Sequence, residues 1–213
     1  MTLIGRVLLG LLLALPLAAA ESDGSHDDAS ALADRLSDYR SFEADFRQVV
    51  VDGSGSTVQE TSGRVRAKRP GLFFWKSDPP MNQTIVADGE TVTVYDPDLK
   101  QVTIRDMTQR VSKTPALLLS GEVGSLSENY RVSRVGTDNA ATVFKLVPRS
   151  QDALFLSLRL HFRDGVVREM RLTDSLEQRT IIAFENVLLN DPISDGVFEL
   201  DYPDSVDVIR DTR

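Results

Sequence analysis

The stretch that decides the fold runs Asp52-Gly53-Ser54-Gly55, Val58-Gln59-Glu60, Gly63 and Lys68-Arg69-Pro70-Gly71-Leu72-Phe73-Phe74-Trp75. Side chains alternate along a strand, so Val65 and Ala67 share a face with Arg69, while Arg64, Arg66 and Lys68 share the other. Arg69 is thereby in line with apolar neighbours. A charge on such a face is costly unless paired or hydrogen-bonded. We read Arg69 as a latch on a cavity that holds an apolar ligand. The aromatics after it divide between two faces: Phe73 and Trp75 on one, Leu72 and Phe74 on the other. A strand apolar on both sides belongs in the middle of a fold.

On the N-terminal side of this stretch, Phe42, Ala44, Phe46, Gln48 and Val50 alternate with Glu43, Asp45 and Arg47, which predicts a strand starting at Phe42. Before it, Leu32, Leu36 and Tyr39 form one apolar stripe of a short helix from Ser30, with Asp27, Asp28 or Ser30 as its cap. Glu21 to Asp28 reads as a loose acidic lead. Residues 1–20 read as a secretory signal: Arg6 in a short n-region, an apolar Val7–Leu15 run and a small-residue site at Ala18-Ala19-Ala20. No cysteine follows that run, so no lipid anchor is attached there, and the mature chain is expected to be soluble and exported.

On the C-terminal side the chain reads mainly as strands. Asp-Gly pairs at 52–53, 88–89 and 164–165 lie between strand-like runs and supply turn residues, as does Asp96-Pro97-Asp98; a fourth pair lies at 195–196. The clearest alternation is Leu154, Leu156, Leu158, Leu160 and Phe162 against Ser157, Arg159, His161 and Arg163. It continues after the turn through Val166, Arg168, Met170 and Leu172, and Ile182 and Phe184 mark a further strand. Short strands joined by tight turns imply an antiparallel meander that curls toward a barrel or sandwich. Two short helices interrupt it, one at Thr114-Pro115 to Gly121 and a weaker turn in Ser125 to Asn129. Nothing divides residues 21–213 into more than one domain.

The chain has 213 residues with 24 basic and 32 acidic side chains. Without the leader and its Arg6 it is more acidic still, which argues against nucleic acid and against anionic lipid surfaces. With no cysteine there is no disulfide, thiolate nucleophile or cysteine metal site. His26 falls in the lead and His161 on the polar face of a strand, without a serine or metal-ligand partner. Ser54 between two glycines lacks a base, and Asp96 with Asp98 lacks the rest of a calcium loop. No enzyme is indicated, and no cofactor or metal. The short helices, by contrast, suit a lid over an incompletely closed sheet, enclosing apolar volume.

Ser41-Phe42-Glu43-Ala44-Asp45-Phe46-Arg47-Gln48, the opening stretch, Asp88-Gly89, Tyr95-Asp96-Pro97 with Gln101, Thr114-Pro115 and Val206-Asp207-Val208 together resemble the LolA family of periplasmic outer-membrane lipoprotein carriers. The resemblance spans essentially the whole mature chain. It implies a mainly β fold with short helices, a curved antiparallel sheet forming an unclosed barrel under a helical lid. It also implies a monomeric periplasmic chaperone that takes acylated lipoproteins from an inner-membrane ATP-driven releasing complex (an ABC transporter) and delivers them to an outer-membrane receptor. Arg69 falls on the family's lid latch, and Phe73 on a residue used for lipid and partner contact. The lipid cavity is expected to involve Leu32, Leu36, Phe42, Phe46, Phe73, Trp75, Pro115 and Leu118. The alternative on the same architecture is a carrier of another hydrophobic ligand, a phospholipid or glycolipid; an exported hydrolase is the third reading.

Overall fold

The computed structural model describes residues 24–106, 115–121, 126–137, 141–151 and 153–211. The leader, residues 21–23 and Thr114 lie outside the described residues, as do the side chains of His26 and Pro115. Among the described residues twelve strands form one sheet: β1 (Ser41–Val51), β2 (Thr57–Lys68), β3 (Leu72–Ser77), β4 (Thr84–Asp88), β5 (Thr91–Asp96), β6 (Gln101–Asp106), β7 (Tyr130–Thr137), β8 (Ala141–Pro148), β9 (Ser157–Arg163), β10 (Val166–Thr173), β11 (Arg179–Leu189) and β12 (Asp207–Asp211). Their order is β12-β6-β5-β4-β3-β2-β1-β11-β10-β9-β8-β7, so β12 and β7 remain as edges and the sheet does not close. Two meanders are joined where β1 pairs with β11, Phe46 opposite Phe184. One pair departs from the expected antiparallel rule: β12 runs parallel to β6, having returned over the outside of the sheet.

The expected turn chemistry is present, with one change. At the β9–β10 hairpin Asp164 and Gly165 have φ of 52° and 77°, the two positive values a tight I′ turn needs. Gly89 has φ 96°, and the Asp88 carboxylate accepts from the Glu90 and Thr91 N–H groups. In the β1–β2 turn the positive φ falls on Gly55, not Gly53, because Asp52 folds over the loop and accepts from the N–H groups of Ser54 and Ser56.

Helix α1 (Gly24–Ser37) begins earlier than the spacing predicts, taking up residues 24–28 of the expected lead. Asp28 does not cap it. Its carboxylate instead accepts from the Arg134 backbone N–H at 2.8 Å and faces the Arg134 guanidinium, fixing the helix start on β7. Leu32 and Leu36 are fully buried, and the Arg35 guanidinium lies over the rings of Phe144 and Phe162 at 5.8 and 5.7 Å. The Tyr39 hydroxyl donates to the Gly165 carbonyl at 2.7 Å and accepts from the Val167 N–H at 3.0 Å. The helix is thus seated on the β7–β10 half of the sheet. A 3-10 turn (Pro115–Leu119) and helix α2 (Leu126–Asn129) complete the lid, with Leu117 and Leu119 buried.

Two expectations on β9 and β10 are corrected. The strand starts at Ser157, and Leu154 and Leu156 are 60% and 56% exposed while Phe155 between them is buried against Tyr130, so the leucine alternation holds only from Leu158. A bulge between Val167 and Glu169 shifts the phase of β10, so that Val167 and Met170 point inward and Arg168 does not. His161, on the face expected to be polar, is half-buried. Among the described residues its Nε2 has no hydrogen-bond partner, and it lies 3.8 Å from the Glu169 carboxylate.

The two apolar faces of β3 have separate partners. Phe73 and Trp75 enter the main core, while Leu72 and Phe74 lie under an outer strap in which Ile193 and Phe198 pack with Val86. Lys68 fastens that strap, its Nζ donating to the Ile193 carbonyl and to the Asp195 carboxylate.

Candidate functional site

Arg69 lies just past the end of β2, on the inner side predicted by Val65 and Ala67, which are both fully buried. Its Nε donates to the Tyr39 carbonyl at 2.9 Å, one terminal nitrogen donates to the Gly121 carbonyl, and the other to the Leu118 carbonyl at 3.3 Å. The backbone reinforces the same joint: the Arg69 N–H donates to Arg40 and the Gly71 N–H to Ser120, at 2.9 and 2.8 Å. One guanidinium fork therefore holds the end of α1 and the 3-10 turn together, a task its rigid spread of donors suits better than an ammonium. Among the described residues it has no carboxylate partner. Burial lowers its pKa below the usual arginine range.

Under this joint Leu32, Leu36, Phe42, Phe46, Phe73, Trp75 and Leu118 all belong to one buried core. In the closed structure they pack against one another and are not the walls of one empty space. The lid leucines fill the upper end of the half-barrel, and an open-ended cavity of about 220 Å³ remains below them. Of the expected cavity residues, Phe73 and Trp75 line it. Phe46 backs it, stacked on Trp75 with ring centroids 3.6 Å apart, while Leu32, Leu36, Phe42 and Leu118 are packing of the closed lid. Gly63 allows that stack: a Cβ there would stand 2.8 Å from the Phe46 ring and 1.9 Å from the Lys76 carbonyl oxygen.

The lining changes character across the sheet. Leu158 on β9 and Met170 on β10, with Ala116 of the lid, make its apolar side. One step below Phe46 along β1, Gln48 sits between Thr61 and Ile182; the next inward position, Val50, sits between Gln59 and Thr180. With Gln83, the side chains of Gln48, Gln59, Thr61 and Thr180 give the other side a neutral polar character. Sequence reasoning placed Gln48 on the inner face but missed the others. The signal was the cross-strand register, which brings Gln59 level with Thr180 and Thr61 level with Gln48 and is invisible before the strands are paired.

A family model described as outer membrane lipoprotein carrier protein LolA matches residues 37–201. The chain belongs to the LolA family. Among LolA-family relatives, an outer-membrane lipoprotein carrier protein of Hahella chejuensis is 45% identical over 205 residues, covering 96% of this chain and 98% of the relative. One from Azotobacter vinelandii is 43% identical over 206 residues, covering 97% and 98%. Among solved structures, a LolA superfamily protein from Nitrosomonas europaea superposes with a TM-score of 0.52 at 13% identity, over 83% of this chain and 99% of that one. A DUF1329 family protein from Desulfovibrio piger gives 0.56, also at 13% identity, over 84% and 98%. Those two likenesses speak to the fold alone. The resemblance read from the sequence and the unclosed β architecture it implied are both borne out.

Proposed function

We propose that this protein is a periplasmic chaperone for acylated lipoproteins, which receives them from an inner-membrane ATP-driven releasing complex and passes them to an outer-membrane receptor. The observation that carries the reading is an apolar cavity directly beneath a lid held by a single arginine. Family membership gives the cargo class, since the relatives are named as outer-membrane lipoprotein carriers. Among the described residues no helix is long and apolar enough to cross a membrane.

Magnitudes favour a lid that moves. Each acyl methylene is worth about 0.8 kcal/mol out of water, so a multiply acylated anchor needs a dry compartment to travel in. The 220 Å³ below the lid is smaller than the roughly 300–1,000 Å³ of sites for drug-sized ligands. Cargo with several chains therefore displaces Leu32, Leu36 and Leu118 from the upper end and takes their place against Phe42 and Phe73. Phe73, at the floor of that space, is then the residue shared between cargo contact and handover. Three hydrogen bonds from Arg69 to carbonyls, partly replaced by water on opening, put the closed and open states a few kcal/mol apart, a gap that cargo binding can reverse.

Trp75 provides the test, being the sole tryptophan of the chain. Protein isolated from periplasm in which lipoproteins are being made should carry mature lipoprotein, and a triacylated peptide added to empty protein should change Trp75 fluorescence. Empty protein under those conditions, together with unchanged fluorescence, overturns the reading.

A further inference from the structure

We propose that Gln48, Gln83 and the Gln59–Thr61–Thr180 group form a distinct subsite that binds the uncharged ester and amide linkages through which acyl chains are attached to cargo. The inference rests on the carrier reading and adds a chemical selectivity to it.

Three observations carry it. The first is unspent hydrogen-bonding capacity. Gln48 and Gln83 are half-buried and line the cavity, yet among the described residues neither side chain has a hydrogen-bond partner. Gln59 makes one side-chain bond, from Nε2 to Thr61 Oγ1 at 3.3 Å, which leaves its carbonyl oxygen free. An amide in that position can both donate to a ligand carbonyl and accept from a ligand N–H.

The second is position. Successive inward positions on a strand are about 7 Å apart. On β1 the inner face reads Phe42, Ala44, Phe46, Gln48, and the register sets Gln48 in one row with Ile182 and Met170, and Gln59 in one row with Thr180, Leu172 and Leu158. An acyl chain lying against Leu158 and Met170 therefore has the amides beside it, on the side where its point of attachment can meet them. The third is charge. Among the described residues every one that lines the cavity is uncharged, so a phosphate or carboxylate there would lose water without gaining a cation from them. Ester and amide groups have the required polarity and no charge.

The experiment titrates full-length mature protein through Trp75 fluorescence with four probes: a tripalmitoylated cysteinyl peptide, dipalmitoylglycerol, dipalmitoyl phosphatidylglycerol and hexadecane. Wild type is expected to bind the peptide and dipalmitoylglycerol in preference to phosphatidylglycerol. A Gln48→Leu, Gln83→Leu double variant, checked for an unchanged melting transition, should bind the peptide about tenfold more weakly, the worth of two hydrogen bonds, and bind hexadecane as before. A Gln83→Glu variant, of the same shape but charged, should show the same selective loss. Weakening of the peptide and dipalmitoylglycerol together assigns the effect to ester linkages, and weakening of the peptide alone to its amide. Equal binding of the peptide by wild type and the variants overturns the subsite while leaving the carrier reading intact. A preference for phosphatidylglycerol does the same. Failure of wild type to bind any acylated probe overturns both.

Discussion

Arg69 Nε and the Tyr39 carbonyl oxygen meet at 2.9 Å, so the end of β2 holds the backbone just past the lid helix by an atom that any residue at position 39 would provide. The side-chain specificity of this contact therefore lies in the guanidinium. In an Arg69→Leu variant the carbonyls of Tyr39, Leu118 and Gly121 lose their shared donor, while the lid leucines keep an apolar neighbour. The closed empty state is weakened, and with it the drive to expel cargo. Cargo should still bind, but transfer to an acceptor should fall about a hundredfold, corresponding to about 3 kcal/mol of lost closure energy. A labelled lipoprotein passed from carrier to receptor-containing membranes measures it. Wild-type delivery by the variant removes the latch mechanism.

The other side of the lid depends on Tyr39 itself. Its hydroxyl serves both the Gly165 carbonyl and the Val167 N–H, and Val167 is fully buried. Tyr39→Phe leaves that N–H without its partner, at a cost of about 1–3 kcal/mol. For a chain of this size the melting temperature should drop by about 2–10 °C. Calorimetry of the mature protein checks the drop. An unchanged transition means the lid is seated by its leucines alone.

Arg69 was legible because its strand partners Val65 and Ala67 announce the inner face by alternation alone. Its acceptors were not, since Leu118 and Gly121 contribute only backbone carbonyls, which have no sequence signature. The doubled apolar character of β3 was visible at Phe73, Phe74 and Trp75. What covers Phe74 was hidden, because the strap around Phe198 is 124 residues away and returns through a parallel pairing of β12 with β6 that no local pattern encodes. The start of α1 was misplaced for a related reason. Asp28 is a good cap in isolation, but Arg134, far along the chain, claims its carboxylate.

Gly63 is the position where a single methyl group should do most harm. An alanine Cβ has no room against the Lys76 carbonyl oxygen or the Phe46 ring, so β2 and β3 must separate or the Phe46–Trp75 stack must open. Overpacking of this kind costs about 1–3 kcal/mol. Gly63→Ala should lower the urea midpoint and also red-shift Trp75 emission in the folded protein, as water reaches the indole. A native-like emission maximum would show that the strands absorb the methyl without disturbing the cavity wall.

Phe198 separates stability from function. It is buried on the outside of β3 with Val86 and Ile193, away from the cavity. Phe198→Ala should destabilise by about 3–5 kcal/mol in the manner of other buried aromatics. At a temperature where the variant remains folded, its affinity for an acylated peptide should match wild type. A parallel loss of affinity would mean that the outer strap and the lid are coupled through Lys68 and Arg69, which are adjacent in sequence and fasten opposite faces.

Acid should loosen the β9–β10 region through His161. Burial is the main cause lowering its pKa below the ordinary histidine value; the Glu169 carboxylate pulls the other way, and Arg171 and Arg159 add to the lowering. The fold thus favours the neutral imidazole. Unfolded chains take up the proton near pH 6.5, so this contribution to stability is complete above that pH and is lost as pH falls from about 6.5 toward the lower folded value. Urea midpoints measured at pH 7.5 and pH 5.0 should fall further for wild type than for His161→Gln, which keeps a neutral polar side chain in place and has no proton to gain. Equal falls would mean that the imidazole is hydrated by local opening at little cost, and that acid acts on this protein through its carboxylates instead.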